Sequence, residues 1–258
     1  MGREVLRAVS GAEDMDVVGG VDIAPGLAGK TLGELCADPA LDVPLDSDVD
    51  SALARLRPDV LVDFTVPGQG QVNAKKALEH GARPVVGTTG IPDEELKEID
   101  RLAREKGLGA VVAPNFAIGA VLMMKFAVEA ARYMPFVEII EFHHDGKLDA
   151  PSGTAVKTAQ MITEAVQLPL RRATEKMLLP GARGAEVRRS ADQGEVNIHA
   201  VRLPGLVAHQ EVILGGLAQT LTIRHDSMGR ESFMPGVLLA VRRVMNLQGL
   251  VYGLENLL

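Results

Sequence analysis

The stretch Glu141-Phe142-His143-His144-Asp145-Gly146-Lys147-Leu148-Asp149-Ala150-Pro151-Ser152-Gly153-Thr154-Ala155 gathers two imidazoles, an ammonium group and a helix start. Imidazole exchanges its proton near neutral pH and an ammonium can give one up, so His143 and Lys147 are candidates for proton delivery. The first-turn amides of a helix, here those of Gly153 and Thr154, have no intrahelical partner and favour an anion such as a carboxylate. Glycine at 153 lets ligand oxygens approach the backbone, Pro151 loses little by lacking an N–H, and Ser152 or Asp149 can cap. The combination points to a site for an acidic substrate; a solvated charged loop with a satisfied histidine has no need of it. No metal is expected. Adjacent strand residues such as His143 and His144 point to opposite faces, no carboxylate or thiol stands at metal-like spacing, and Cys36 is distant.

These groups must be positioned by one strand-to-helix turn. Residues 137–142 form an apolar, β-branched run of strand character, Asp145, Gly146 and Lys147 break it, and Pro151-Ser152 opens a helical pattern through Val166. Upstream, short apolar runs at 15–21, 60–64, 84–87 and 109–113 read as strands. Helical patterns at 69–80 and 93–106 lie between them, the second starting after Pro92 and stopping at Gly107. Such runs, without polar alternation, suit a parallel sheet covered on both faces, as in a doubly wound nucleotide-binding domain. After Asn115 the grammar changes. A helix at 119–133 and the turn above precede consecutive strand-like runs at 196–202, 207–214 and 219–225, which indicate an antiparallel or mixed open sheet and a second domain. Residues 180–194 lack periodicity and read as a mobile loop whose Arg183, Arg188 and Arg189 are solvated, while 233–246 regains helical spacing.

With 258 residues, 47% of them hydrophobic and 24% charged, the chain can bury a core in one large or two modest domains. A net charge of −7, no Trp and no basic tract with aromatics give no electrostatic reason to expect nucleic acid. The single cysteine excludes an internal disulfide and reads as a packed side chain in a reducing compartment. No segment approaches the roughly 20 apolar residues that span a bilayer, so no membrane partner is expected and the cytoplasm is the default location.

The fifteen-residue string closely resembles the signature of the 4-hydroxy-tetrahydrodipicolinate reductase (dihydrodipicolinate reductase) family. Asp63-Phe64-Thr65, Gly87-Thr88-Thr89-Gly90, Ala113-Pro114-Asn115-Phe116, Arg202-Leu203-Pro204-Gly205 and His209-Gln210-Glu211 follow in the family's order. The resemblance covers essentially the whole chain apart from a deficit at its start. It implies an α/β fold: a discontinuous Rossmann-like nucleotide-binding domain, residues 1–116 and 230–258, lacking its first strand, and an α+β substrate-binding and oligomerisation domain, residues 117–229, with an open mixed sheet. It further implies a homotetramer that uses NADH or NADPH in the diaminopimelate route to lysine. The substrate would be a small cyclic imine dicarboxylate, formed as the 4-hydroxy compound loses water and reduced to tetrahydrodipicolinate. By motif position His143 is the acid/base residue and Lys147 the proton donor, with His144 and the Gly153-Thr154 backbone and hydroxyl on the substrate carboxylate. Spacing leaves the division of labour between His143 and Lys147 open.

At the start, Met1-Gly2-Arg3 looks like the end of the family's glycine-rich phosphate loop, followed by a first helix whose buried stripe would be Val5, Leu6 and Val9. Met1 is therefore expected to be an internal methionine of a longer natural chain. Asp22 ends a strand-like run where an acid can accept from the adenosine ribose hydroxyls. Ile23 and Ala24 stand where an arginine could have met a 2′-phosphate, which favours NADH over NADPH. Gly87, Thr88, Thr89, Ala113, Pro114, Asn115 and Phe116 lie at strand ends, the edge where open parallel sheets bind ligands, and the resemblance assigns them to the nicotinamide half. Asn115 marks the expected hinge for a closure that excludes water. Two alternatives carry different expectations: another Rossmann reductase of a small amino or keto acid, and a catalytically silent, reductase-derived binding protein without its phosphate loop.

Overall fold

A computed structural model describes residues 1–27, 29–38, 41–166, 186–190 and 194–258, with 186–190 and 194–195 described by backbone alone. The described residues fall into two units, Met1–Ile118 with Arg230–Leu258, and Gly119–Gly229. The elements run α1 (Gly2–Ser10), β1 (Gly20–Val21), α2 (Leu32–Cys36), β2 (Leu45–Asp46), α3 (Val49–Leu56), β3 (Val60–Asp63), α4 (Gly70–Glu79), β4 (Arg83–Val86), α5 (Asp93–Lys106) and β5 (Gly109–Val112). They continue through α6 (Ile118–Ala131), β6 (Phe136–His143), α7 (Gly153–Ala165), β7 (Glu186–Ser190), β8 (Gly194–Arg202), β9 (Ala208–Gly216), β10 (Gln219–Ser227), α8 (Met234–Val244) and β11 (Gly249–Tyr252).

In the first unit β11, β5, β4 and β3 form, in that order, an all-parallel sheet. Its strands are apolar because both faces are covered. Val86 and Val112 pack with Ala74, Leu78, Ile99, Ala103 and Ala110 beneath α4 and α5, while strand alternation turns Val85 and Val111 the other way. α8 packs on β4 and β5, burying Val237, Ala240 and Val244. It comes so close that a Cβ on Gly236 would lie 2.0 Å from the Phe116 carbonyl oxygen, and only glycine fits there. α5 shows why the local sequence is helical: Asp93, Glu94 and Glu95 face the positive end of its dipole, Arg104 and Lys106 the negative end, and Gly107 at φ 64° closes it.

Two expectations for this unit need correction. Only Gly20–Val21 of the run 15–21 is strand, paired in parallel with β2 in a separate two-stranded sheet. A strand exists only where a ladder does, and residues 15–19 have no ladder partner among the described residues. Of Val5, Leu6 and Val9, only Val5 is buried. α1 packs on α2 and α8, and those helix contacts fully cover one residue of the stripe.

The second unit is a five-stranded mixed sheet, β10-β9-β6-β8-β7, in which β6 and β8 are parallel and the other pairs antiparallel. α7 packs on β6 and β8. The register sets His143 opposite Arg202 on one side and Ala208 on the other. The loop reading of 180–194 is also corrected, since Glu186–Ser190 forms a strand along β8. Its charged composition hides a strand that exists through that pairing. Arg188 and Arg189 lie on it, whereas Arg183 lies outside the described residues. Among the described residues no helix is long and apolar enough to cross a membrane, and no group of three or more His, Cys, Asp or Glu could hold a metal ion.

Candidate active site

Strand alternation puts Val137, Ile139, Glu141 and His143 on one face of β6, the first three wholly buried. The chain then turns through a cis Ala150–Pro151 peptide into α7, where the Ser152 hydroxyl accepts from the Ala155 amide at 3.3 Å as the N-cap. Glu141 is the hub of this turn. Its carboxylate bonds His143 Nδ1 at 2.5 Å, the Ser152 amide at 3.1 Å, and Arg202 Nη1 and Nη2 at 2.7 and 2.8 Å. Burial pushes its carboxyl pKa up, but the hydrogen bonds from His143 and Arg202 outweigh it and hold the value down at about 2. Arg202 also donates to the Asp149 carbonyl at 2.7 Å, so one guanidinium joins strand, turn and helix start.

Lys147 Nζ contacts both Asp149 carboxylate oxygens, at 2.6 and 2.8 Å, and this ammonium holds the Asp149 carboxyl below its usual range. Ser152 therefore does the capping, and Asp149 partners the lysine. A continuous chain of contacts runs from Lys147 through Asp149, Arg202 and Glu141 to His143. His144 is exposed, and its carbonyl closes the turn by accepting from the Lys147 amide at 3.1 Å. The first turn of α7, with Gly153 exposed and Thr154 half-buried, is braced from below. Gln210 Nε2 on β9 donates to Thr158 Oγ1 at 2.7 Å, and that hydroxyl donates to the Thr154 carbonyl at 2.7 Å. His209 has both nitrogens engaged, Nδ1 with Asp226 at 2.7 Å and Nε2 by the Val207 amide at 3.2 Å.

In the first unit another buried carboxylate organises the strand ends. Asp63 Oδ1 accepts from the Thr65 amide (3.0 Å), the Thr65 hydroxyl (2.8 Å) and the Thr88 hydroxyl (2.9 Å), and Oδ2 from Asn73 Nδ2 (2.7 Å). Thr88, Ala113 and Phe116 are buried, Gly87 and Asn115 half-buried, and Thr89 and Pro114 exposed. A Cβ on Gly87 would fall 2.1 Å from the Phe64 ring, which stacks obliquely on Phe116 with centroids 5.4 Å apart. Asn115 Oδ1 accepts from the Ala117 amide at 2.8 Å, fixing the entry to α6. Asp22 is exposed just past β1 and bonds its own turn through the Ala24 amide at 2.8 Å, and Met1 is the N-cap of α1. Exposed loop backbone and an exposed acid on a parallel-sheet unit fit a dinucleotide.

Two family models divide the chain between them: dihydrodipicolinate reductase, N-terminus, matches residues 1–116, and dihydrodipicolinate reductase, C-terminus, matches 119–258. The chain belongs to the dihydrodipicolinate reductase family. Among curated relatives, the 4-hydroxy-tetrahydrodipicolinate reductase of Shouchella clausii is 54% identical, covering 100% of this chain and 95% of its own length. That of Syntrophomonas wolfei is 51% identical, covering 100% and 94%. A solved dipicolinate-bound dihydrodipicolinate reductase from Paenisporosarcina superposes with TM-score 0.83 at 48% identity, covering 100% of this chain and 95% of that one. An amine dehydrogenase from Mycobacterium smegmatis shares the fold at 14% identity and TM-score 0.68, covering 96% and 90%. The chain is thus an α/β oxidoreductase with a nicotinamide cofactor, as in this reductase family.

Sequence reasoning passed over Glu141, Arg202, Asp149 and Asp63 as site residues. Glu141 was within reach, because a carboxylate two positions before His143 on a strand must share its face. Arg202 was not, because its place depends on the pairing of β6 with β8.

Proposed function

We infer that this chain reduces the dehydrated form of 4-hydroxy-tetrahydrodipicolinate to tetrahydrodipicolinate with NADH or NADPH. The observation that carries this reading is the gathering of His143, Lys147 and the start of α7, with Gly153 exposed, at one strand-to-helix turn. Family membership supports the substrate, and the dipicolinate-bound relative supports a dicarboxylate in such a site. Met1, Asp22, Gly87, Thr88, Thr89, Ala113, Pro114, Asn115 and Phe116 would hold the cofactor, which supplies the hydride. Lys147, His144 and the amides of Gly153 and Thr154 bind substrate carboxylate and offset negative charge that develops on the ring. His143 and Lys147 handle the proton that completes the reduction. Lys147 must leave Asp149 for this, and an incoming carboxylate is a like-charged substitute for that partner. Asp22 would repel a 2′-phosphate, so NADH is preferred. The chain assembles as a homotetramer through its second unit and works in the cytoplasm.

The test is a coupled assay in which a synthase supplies the unstable substrate and cofactor oxidation is followed by absorbance. Turnover should be more efficient with NADH than with NADPH, and His143→Gln and Lys147→Ala should each lower it by more than about tenfold. Wild-type turnover in either variant would remove that residue's role. Cofactor binding without any turnover would remove the reductase reading.

A further inference from the structure

We propose that Glu141 and Arg202 are positioning residues that lock His143 in the tautomer with Nδ1–H turned inward and Nε2 presented to the substrate. This rests on the proposed role of His143 and adds the atom that does the work. Both Glu141 oxygens accept from groups that can only donate, the two Arg202 guanidinium nitrogens and the Ser152 amide, and this pairing keeps the carboxylate ionised and an acceptor. The 2.5 Å contact therefore requires the proton to sit on His143 Nδ1. Nε2, which has no hydrogen-bond partner among the described residues, is then the nitrogen left to give or take a proton.

Arg202 supplies what keeps this arrangement in place. Its fork grips both Glu141 oxygens, compensates the buried charge and fixes the carboxylate plane, so the imidazole has one acceptor in one direction. The same carboxylate receives the Ser152 amide, so the helix start that carries Gly153 and Thr154 is set by the group that sets the imidazole. The imidazole and the carboxylate cradle thus share one anchor. His209 shows the contrast: with Nε2 also engaged, it has no free nitrogen to offer.

The experiment is long-range ¹H–¹⁵N correlation of ¹⁵N-histidine-labelled full-length protein, with His143 assigned by its absence from His143→Gln. Wild type should show a protonated Nδ1 and a bare Nε2 in the neutral ring. The reverse pattern overturns the proposal, whatever the turnover of His143→Gln, so the two readings fail separately. In Glu141→Gln the His143 signals should move toward a mixture of tautomers and kcat should fall at least about tenfold, with KM for NADH within about twofold. Arg202→Lys, which keeps the charge but loses the fork, should do the same more weakly. An unchanged tautomer or an unchanged kcat in a folded Glu141→Gln protein overturns the proposal. Should that variant fail to fold, the wild-type spectrum and Arg202→Lys decide it.

Discussion

Glu141 and Asp63 are both buried carboxylates close to the ends of strands, and each receives four hydrogen bonds, yet their partners differ in kind. Glu141 is gripped by a guanidinium, an imidazole and one backbone amide. Asp63 is surrounded by hydroxyls, a backbone amide and a side-chain amide, none of them charged. Charged donors make shorter and stronger bonds that resist displacement. They suit a place where one imidazole must be held at one angle. Neutral donors suffice where the task is to bend two loops, those following β3 and β4, into a fixed shape.

The most damaging way to test the charged hub is to remove its counter-charge. Arg202→Leu keeps much of the bulk but leaves Glu141 buried with little to offset it, which should cost about 3–5 kcal/mol of stability. Urea unfolding measures it, and a loss below about 1 kcal/mol would mean that the fork is not what holds the turn together. Acid should produce the next largest effect. The Glu141 carboxyl lies at about 2 in the folded protein against an ordinary 4.5, so its contribution is complete above 4.5 and disappears as pH falls toward 2. The difference corresponds to about 3 kcal/mol. Unfolding free energies across this window should decline more steeply in wild type than in Glu141→Gln, and parallel curves would contradict the assigned anchor.

That contrast also sets what the sequence could reveal. α5 was legible because its caps and charged ends are local, and the start of α7 because Pro151-Ser152 announces it. The placement of His143 beside a strand-to-helix turn followed from neighbouring residues alone. Arg202 reaches Glu141 across 61 positions, through a β6–β8 register that no local pattern encodes. Strand β7 was hidden for the same reason, since Glu-Val-Arg-Arg-Ser becomes a strand by pairing with β8. The error at 15–21 is the converse: an apolar run with strand composition of which only the last two residues find a ladder. Local chemistry singled out the candidate groups at this turn, and long-range pairing decided what holds them.

The smallest effect should come from Asp63→Asn. The new side chain keeps a carbonyl for Thr65 and Thr88, but its amide would face the amide of Asn73, where two donors cannot pair. Asn73 can turn its own carbonyl inward by giving up the 2.8 Å bond from Gln69 Nε2, or with the exposed Gln69 reversing its amide as well, so at most about one hydrogen bond is lost. The cost should be about 1–2 kcal/mol, well under that of Arg202→Leu. Because the network spans the loops that carry Thr65 and Thr88, the kinetic consequence should be a raised KM for NADH with kcat little changed, the reverse of the pattern expected for Glu141→Gln. Steady-state kinetics with NADH varied would separate the two. A fall in kcat with KM unmoved would mean that the neutral hub, too, holds a reacting group in place, and the division between an anchor for chemistry and an anchor for loop shape would collapse.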